Sequence, residues 1–225
     1  MPVAQPKPMT PGPAPVVYPD SDGEPMSDNT KQYEWIVAVK GNLDACVPDF
    51  VGGDLLWYPV EGDPTIRVAP DALVALGRSK GDRGSYMQWV EGGQPPQVVF
   101  EIWSPSNRFS HQVRKLAFYN RYGVEEFYAY DPDRLDLTGW IRKDGTLDVV
   151  DGMDGYVSPR LGIRFEMGPE GLVLYRPDGT RFLTFAELDA ARVAAEMRAD
   201  EATAKVRTLE AEVAALQEKV RAAGL

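Results

Sequence analysis

Cysteine and histidine are nearly missing from this chain: Cys46 and His111 stand alone in 225 residues. One cysteine excludes an intramolecular disulfide and a cysteine-rich zinc site. One histidine excludes a His-rich metal centre, so any bound metal must be held by oxygen. No window of roughly 18 apolar residues occurs, and no basic stretch followed by an apolar run opens the chain. Neither a membrane span nor a signal peptide is therefore expected, and the expected compartment is the cytoplasm. A nucleophile elbow, a glycine-rich phosphate loop and a paired His–acid helix motif are absent too, which removes the enzyme classes built on them. Positive charge is scarce, and the net charge of −10 disfavours a protein that coats nucleic acid.

What basic character there is clusters. The window 78–121 holds seven Lys or Arg (Arg78, Lys80, Arg83, Arg108, Arg114, Lys115, Arg121) against the acids Asp82, Glu91 and Glu101. Inside it lies VVFEIWSPSNRFSHQVRKLAFYNRY, residues 98–122. Its first six residues predict a strand buried on both faces, with Val98, Phe100 and Ile102 on one side and Val99, Glu101 and Trp103 on the other. An uncompensated carboxylate at Glu101 would cost roughly several kcal/mol, so a partner or a function is expected there.

The organisation around that strand is readable in outline. Residues 1–27 carry eight prolines and few large apolar side chains, which predicts a tail without order of its own. A domain spanning 28–185 follows. Its first helix is expected over roughly 29–46, behind N-cap candidates, and three short strands at 54–60, 65–68 and 71–77 read as an antiparallel meander. After Trp103 the period becomes helical: Phe109, Val113, Leu116, Ala117 and Asn120 fall on one side, and Gly123 stands in the C-cap position. A strand at 126–131 then completes a right-handed β-α-β unit, which makes the sheet mixed. Thr184 and Glu187 form a capping box, and residues 186–225 read as one long helix. A heptad seam is convincing from Val206 onward, with Val213 and Val220 at a and Leu209 and Leu216 at d, and predicts a homodimeric coiled coil, the plainer reading being an amphipathic helix packed on its own domain. The fold class is α/β with a mixed, mostly antiparallel sheet flanked by helices.

Carboxylates are the chemistry that remains. Asp71 follows Pro70 at the start of a predicted strand, and if that strand neighbours the one holding Glu101 the two carboxylates can face one point. Hard cations such as Mg2+ or Mn2+ take one or two carboxylates with waters and substrate phosphates. If the next helix folds back over the strand, Lys115 reaches the same point and can stabilise charge on phosphate. Each residue also has a plainer reading: Asp71 as a turn residue, Glu101 in a buried ion pair with Arg108 or Lys115, and Lys115 as a solvated helix residue.

The order Pro70-Asp71, then Glu101 to Ser106, then Lys115-Leu116 to Tyr119, Gly123-Val124 and Asp131-Pro132 resembles the putative restriction endonuclease domain, a bacterial branch of the PD-(D/E)XK nuclease superfamily. The likeness covers about residues 30–185. It implies that Asp71, Glu101 and the backbone carbonyl of Ile102 are metal ligands and that Lys115 is the catalytic lysine, because Trp103 occupies the place where the superfamily motif puts a lysine. Glu34 on the first helix resembles the accessory carboxylate of some superfamily nucleases. Arg78, Lys80, Arg83, Arg108, His111, Arg114 and Arg121 are the candidate phosphate contacts. The expected activity is metal-dependent hydrolysis of phosphodiester bonds in DNA, with RNA as the other substrate. The alternative is a catalytically idle member of the same fold that binds nucleic acid or acts as a scaffold through its coiled coil.

Overall fold

The computed structural model describes residues 15–222. The chain divides into two compact units, the first ending at Phe182 and the second beginning at Leu183.

In the first unit α1 spans Thr30–Cys46. Asn29 caps it, its side chain accepting the N–H of Gln32 at 2.9 Å, as the Asn at this position leads one to expect. Gln32, Ile36, Val39, Asn42 and Leu43 form its buried face. Burial of the three aliphatic side chains stabilises the helix by about 1.5–3 kcal/mol each, far more than its propensity contributes.

Six strands make the central sheet. In chain order they are β1 (Phe50–Gly52), β3 (Ala72–Ala75), β5 (Val98–Ile102), β6 (Glu126–Asp131), β7 (Asp136–Lys143) and β8 (Thr146–Val149), and this is also their spatial order. Within this sheet only β5 and β6 pair in parallel, joined by α2 (Phe109–Tyr122), and its other pairings are antiparallel. Gly123 ends α2 in the left-handed region at φ 92°, a conformation that glycine adopts without a Cβ penalty, and so turns the chain into β6. Two small ribbons lie beside the sheet: β2 (Trp57–Tyr58) with β4 (Tyr86–Met87), and β9 (Arg164–Gly168) with β10 (Gly171–Tyr175). The expected meander over 54–77 is therefore replaced. Its first strand leaves the sheet as β2 and pairs in parallel with β4, residues 65–68 contribute only the bridge from Val68 to Trp57, and β1 takes the edge.

Alternation along β5 sorts the core. Val98, Phe100 and Ile102 join α1 and the β9–β10 ribbon on one face, while Val99 and Trp103 join Trp57, Tyr86 and Tyr119 on the other. The face of α2 differs from the expected one. Tyr119 is buried, with Leu116, Phe118 and Tyr122 packed beside it, whereas Phe109 and Val113 are exposed. The inward face carries Leu116, Phe118 and Tyr119 against Trp57 and Phe127, and from it Lys115 and Tyr119 donate to Glu101.

The second unit contains α3 (Phe185–Ala222), started by the capping box: the N–H of Thr184 donates to Glu187 Oε2 at 2.8 Å and the N–H of Glu187 to Thr184 Oγ1 at 3.3 Å. None of its side chains is buried within the unit. Among the described residues no helix is long and apolar enough to cross a membrane.

Candidate active site

Asp71 stands one residue before β3, and Glu101 lies near the end of β5. Antiparallel pairing sets Ala72 opposite Phe100, so the residues one step outward, Asp71 and Glu101, meet at the same level of the sheet. Asp71 Oδ2 accepts the backbone N–H of Ile102 at 2.6 Å, which aims its carboxyl at β5. Glu101 is 1% exposed. Lys115 Nζ donates to its Oε2 at 2.7 Å, and the Tyr119 hydroxyl, one turn further along α2, donates to its Oε1. Lys115 also donates to the carbonyl of Ala69 at 3.2 Å, on the approach to Asp71. The partner of Glu101 is thus Lys115 and not Arg108, whose side chain is exposed at the start of α2.

These contacts set the protonation states. Burial, reinforced by the neighbouring Glu101 carboxylate, raises the Asp71 pKa well above the carboxylate range. Burial pulls the Lys115 ammonium down, but the charges of Glu101 and Asp71 outweigh it, so its pKa lies above that of an ordinary lysine. Tyr119, pushed far up by burial and then by Glu101, remains a phenol donor. Two buried carboxyl groups this close form a place where a cation would relieve repulsion. A second buried glutamate, Glu126, shows the contrast. It accepts from the Arg160 N–H, the Tyr128 hydroxyl and the Ser158 hydroxyl, so neutral donors satisfy it and it needs no cation.

The metal ligands implied by the resemblance can be tested against this donor set. Asp71 and Glu101 suit an oxygen-seeking divalent ion, since magnesium sites commonly use one or two carboxylates and leave the remaining positions to water and phosphate. The Ile102 carbonyl already accepts Gln32 Nε2 at 2.7 Å, which leaves its second lone pair for a cation. Among the described residues no group of three or more His, Cys, Asp or Glu side chains is arranged to hold a metal.

The site opens into a cleft of about 680 Å3. Among the expected phosphate contacts only His111 lines it together with Lys115. Lys80 pairs with Asp44, Arg83 pairs with Glu91 while lying 3.8 Å above the Phe50 ring, and Arg78 donates to Gln94, so each of these three cations has a partner within the domain. Arg108, Arg114 and Arg121 are exposed on α2 and do not line the cleft. Glu34 is exposed and outside the cleft as well, because helical periodicity turns position 34 away from the face that carries Gln32 and Ile36. Gln32, on the buried face of the same helix, lines the cleft.

Sequence reasoning missed three further cleft residues. Gln32 was legible only as a polar residue in register with the apolar face of α1. Asp54 lines the cleft with its backbone in the left-handed region at φ 47°, and burial followed by the charge of Asp22 raises its pKa. Asp28 accepts hydrogen bonds from Ser104 at 2.6 Å and from Ser106, which keep its pKa low. Ser104 and Ser106 accordingly anchor this carboxylate.

The family model described as "Putative restriction endonuclease" (Uma2) matches residues 29–167, more than half of the chain. Among solved structures, a putative nuclease belonging to DUF820 from Anabaena variabilis ATCC 29413 is similar at 15% identity over 57% of this chain and 68% of that one, with a TM-score of 0.38, too weak a likeness to add to the assignment. The comparison with curated proteins found no match. The matched residues run from the cap of α1 through Asp71, Glu101 and Lys115 to β9, and the chain belongs to the putative restriction endonuclease family.

Proposed function

We propose that this chain is a divalent-metal-dependent endonuclease that hydrolyses phosphodiester bonds in DNA, using Asp71, Glu101 and Lys115. The observation that carries the reading is the meeting of two buried carboxylates from adjacent strands with an ammonium held on one of them. A Mg2+ or Mn2+ ion held by Asp71 and Glu101, with the Ile102 carbonyl as a third donor, would supply positive charge at the scissile phosphate. Lys115 stays protonated, so it acts as a fixed cation for the oxygens of the phosphate and not as a general base. Glu101 and the Ala69 carbonyl keep its ammonium on the approach to Asp71, and Tyr119 keeps Glu101 from turning away. In the reaction a water oxygen bonds to phosphorus as an ester P–O bond breaks; the water gives up a proton and the departing oxygen takes one.

The test is incubation of the protein with plasmid, linear and single-stranded DNA and with RNA, in magnesium or manganese, beside Asp71→Asn and Glu101→Gln chains. Metal-dependent cleavage of DNA by the unaltered chain alone supports the proposal. Equal cleavage by all three chains would mean that the activity lies elsewhere.

The second unit supports a homodimer. Val206, Leu209, Val213, Leu216 and Val220 are all about half exposed on α3 at a and d spacing. In a parallel pair, Lys205 at a g position meets Glu210 at the partner's e position, an attractive contact. This arrangement would bring two nuclease units to one substrate.

A further inference from the structure

The residues that precede α1 reach the cleft. Tyr18 packs its ring edge-on against Tyr58 with centroids 5.2 Å apart and lies 5.0 Å from Trp89. Its hydroxyl oxygen accepts the N–H of Gly62 at 2.5 Å, and the Tyr58 hydroxyl donates to the Pro19 carbonyl at 2.7 Å. At the other end Asp28 is held by Ser104 and Ser106, while its N–H donates to Gln32 Oε1 at 2.8 Å. Between these anchors Asp22 and Glu24 line the same cleft as Asp71, Glu101 and Lys115. The hydrogen bonds of this middle part are local, from Gly23 N–H to Ser21 Oγ and from Glu24 N–H to Asp22 Oδ1, and residues 20–26 are exposed. Residues 18–28 are thus held at both ends and exposed between them, while residues 1–14 of the tail expected to lack order lie outside the described residues.

We propose that residues 18–28 are an acidic strap that occupies the path of a nucleic-acid backbone through the cleft and must be released before a phosphodiester can reach Asp71 and Glu101. The inference rests on the nuclease reading of the site. Residues 18–28 contain Asp20, Asp22, Glu24 and Asp28 and no Lys or Arg, so they oppose a polyanion by charge as well as by volume. Asp22 and Glu24 line the cleft together with Asp54, so the strap brings further negative charge to its wall. The anchors are few and the middle makes no ladder with the domain, so the strap belongs to the segments that open locally at low cost. Strap release also reconciles an acidic cleft with a substrate that carries one negative charge per nucleotide.

The test compares three full-length chains: unaltered, Asp22→Asn/Glu24→Gln, which removes charge from exposed positions, and Tyr18→Ala, which removes the aromatic anchor. Binding of a short fluorescein-labelled DNA is read by anisotropy in magnesium before cleavage is measurable, and cleavage is then followed on the same DNA. If the strap is docked about nine-tenths of the time, freeing it tightens apparent binding by about tenfold. Tighter binding by both altered chains supports the strap. If neither those chains nor the unaltered one cleaves, the strap stands and the hydrolytic reading falls. Unchanged or weaker binding with intact metal-dependent cleavage overturns the strap alone. Failure of all three chains to bind overturns the strap together with the nucleic-acid reading.

Discussion

Glu101 and Tyr119 are joined by a buried hydrogen bond in which the phenol donates to Oε1, while Lys115, one turn earlier on the same helix, donates to Oε2. Strand β5 and helix α2 therefore act as one unit, and both oxygens of the glutamate are oriented by residues from a single helical face. Tyr119→Phe removes the donor and leaves a buried carboxylate oxygen unsatisfied, at a cost of about 1–3 kcal/mol. Urea unfolding should show that loss, and titration of the metal-free protein with manganese should show weaker binding, because Glu101 is then free to turn. Loss of stability with unchanged manganese affinity would limit Tyr119 to a structural role.

Lys115→Met leaves Glu101 buried without its ion partner. Breaking such a pair costs about 3–5 kcal/mol in a dry interior, and with 27% of the lysine side chain exposed the lower part of that range is expected. The double substitution Lys115→Met/Glu101→Gln should recover much of the loss, since no uncompensated charge remains. Additive losses in chemical denaturation would mean that the two groups do not depend on one another.

Asp71 makes stability depend on pH in a direction opposite to that of a salt-bridged carboxylate. Its folded pKa is raised well above the ordinary value of 3.8, so in the metal-free chain the folded state keeps a proton that the unfolded state has lost. Stability should fall as pH rises from about 3.8 through the raised folded value and level off above it. Asp71→Asn should flatten that slope, and magnesium should oppose it, since a bound cation takes over the role of the proton. Thermal unfolding across this pH range, with and without magnesium, checks all three statements.

Glu101→Gln keeps the size of the side chain and removes its charge, and a cleavage rate lower by a factor of about 100–1000 is expected from losing one electrostatic element of such a site. Plasmid nicking in magnesium measures it, with the circular dichroism spectrum showing that the fold is kept.

Leu209→Asp together with Leu216→Asp places charges at two d positions of α3. Light scattering should report the mass of a monomer for that chain and of a dimer for the unaltered one. Equal masses would remove the coiled-coil dimer.

Much of the architecture was legible because it is written in local periods. The helical spacing of α1 with Asn29 at its cap, the alternation along β5, Gly123 at the end of α2 and the return into β6 all came from neighbouring residues. The strands before Asp71 did not. Trp57 and Tyr58 look like sheet residues by composition, but their pairing with Tyr86 and Met87 depends on a chain segment about thirty residues away. The expected face of α2 failed for a related reason. Its apolar pattern pointed to Phe109 and Val113, while the inward face carries Leu116, Phe118 and Tyr119 against Trp57 and Phe127 from other elements.

The sequence by itself determined the kind of chemistry open to this protein. With one cysteine and one histidine, oxygen ligands were the only route to a metal, and the alternation of β5 required that Glu101 be buried and answered. Only the tertiary structure decided what answers it. The antiparallel register of β3 and β5 brings Asp71 level with Glu101, the crossover carries Lys115 back over the strand, and packing of α1 sets Gln32 on the Ile102 carbonyl. Only the tertiary structure, too, lays Asp22 and Glu24 across the cleft, through an aromatic pocket assembled from Tyr58 and Trp89. Local patterns set the period and burial of single elements, whereas a site is a set of distances between elements, and those are set by pairing and packing between residues far apart in the chain.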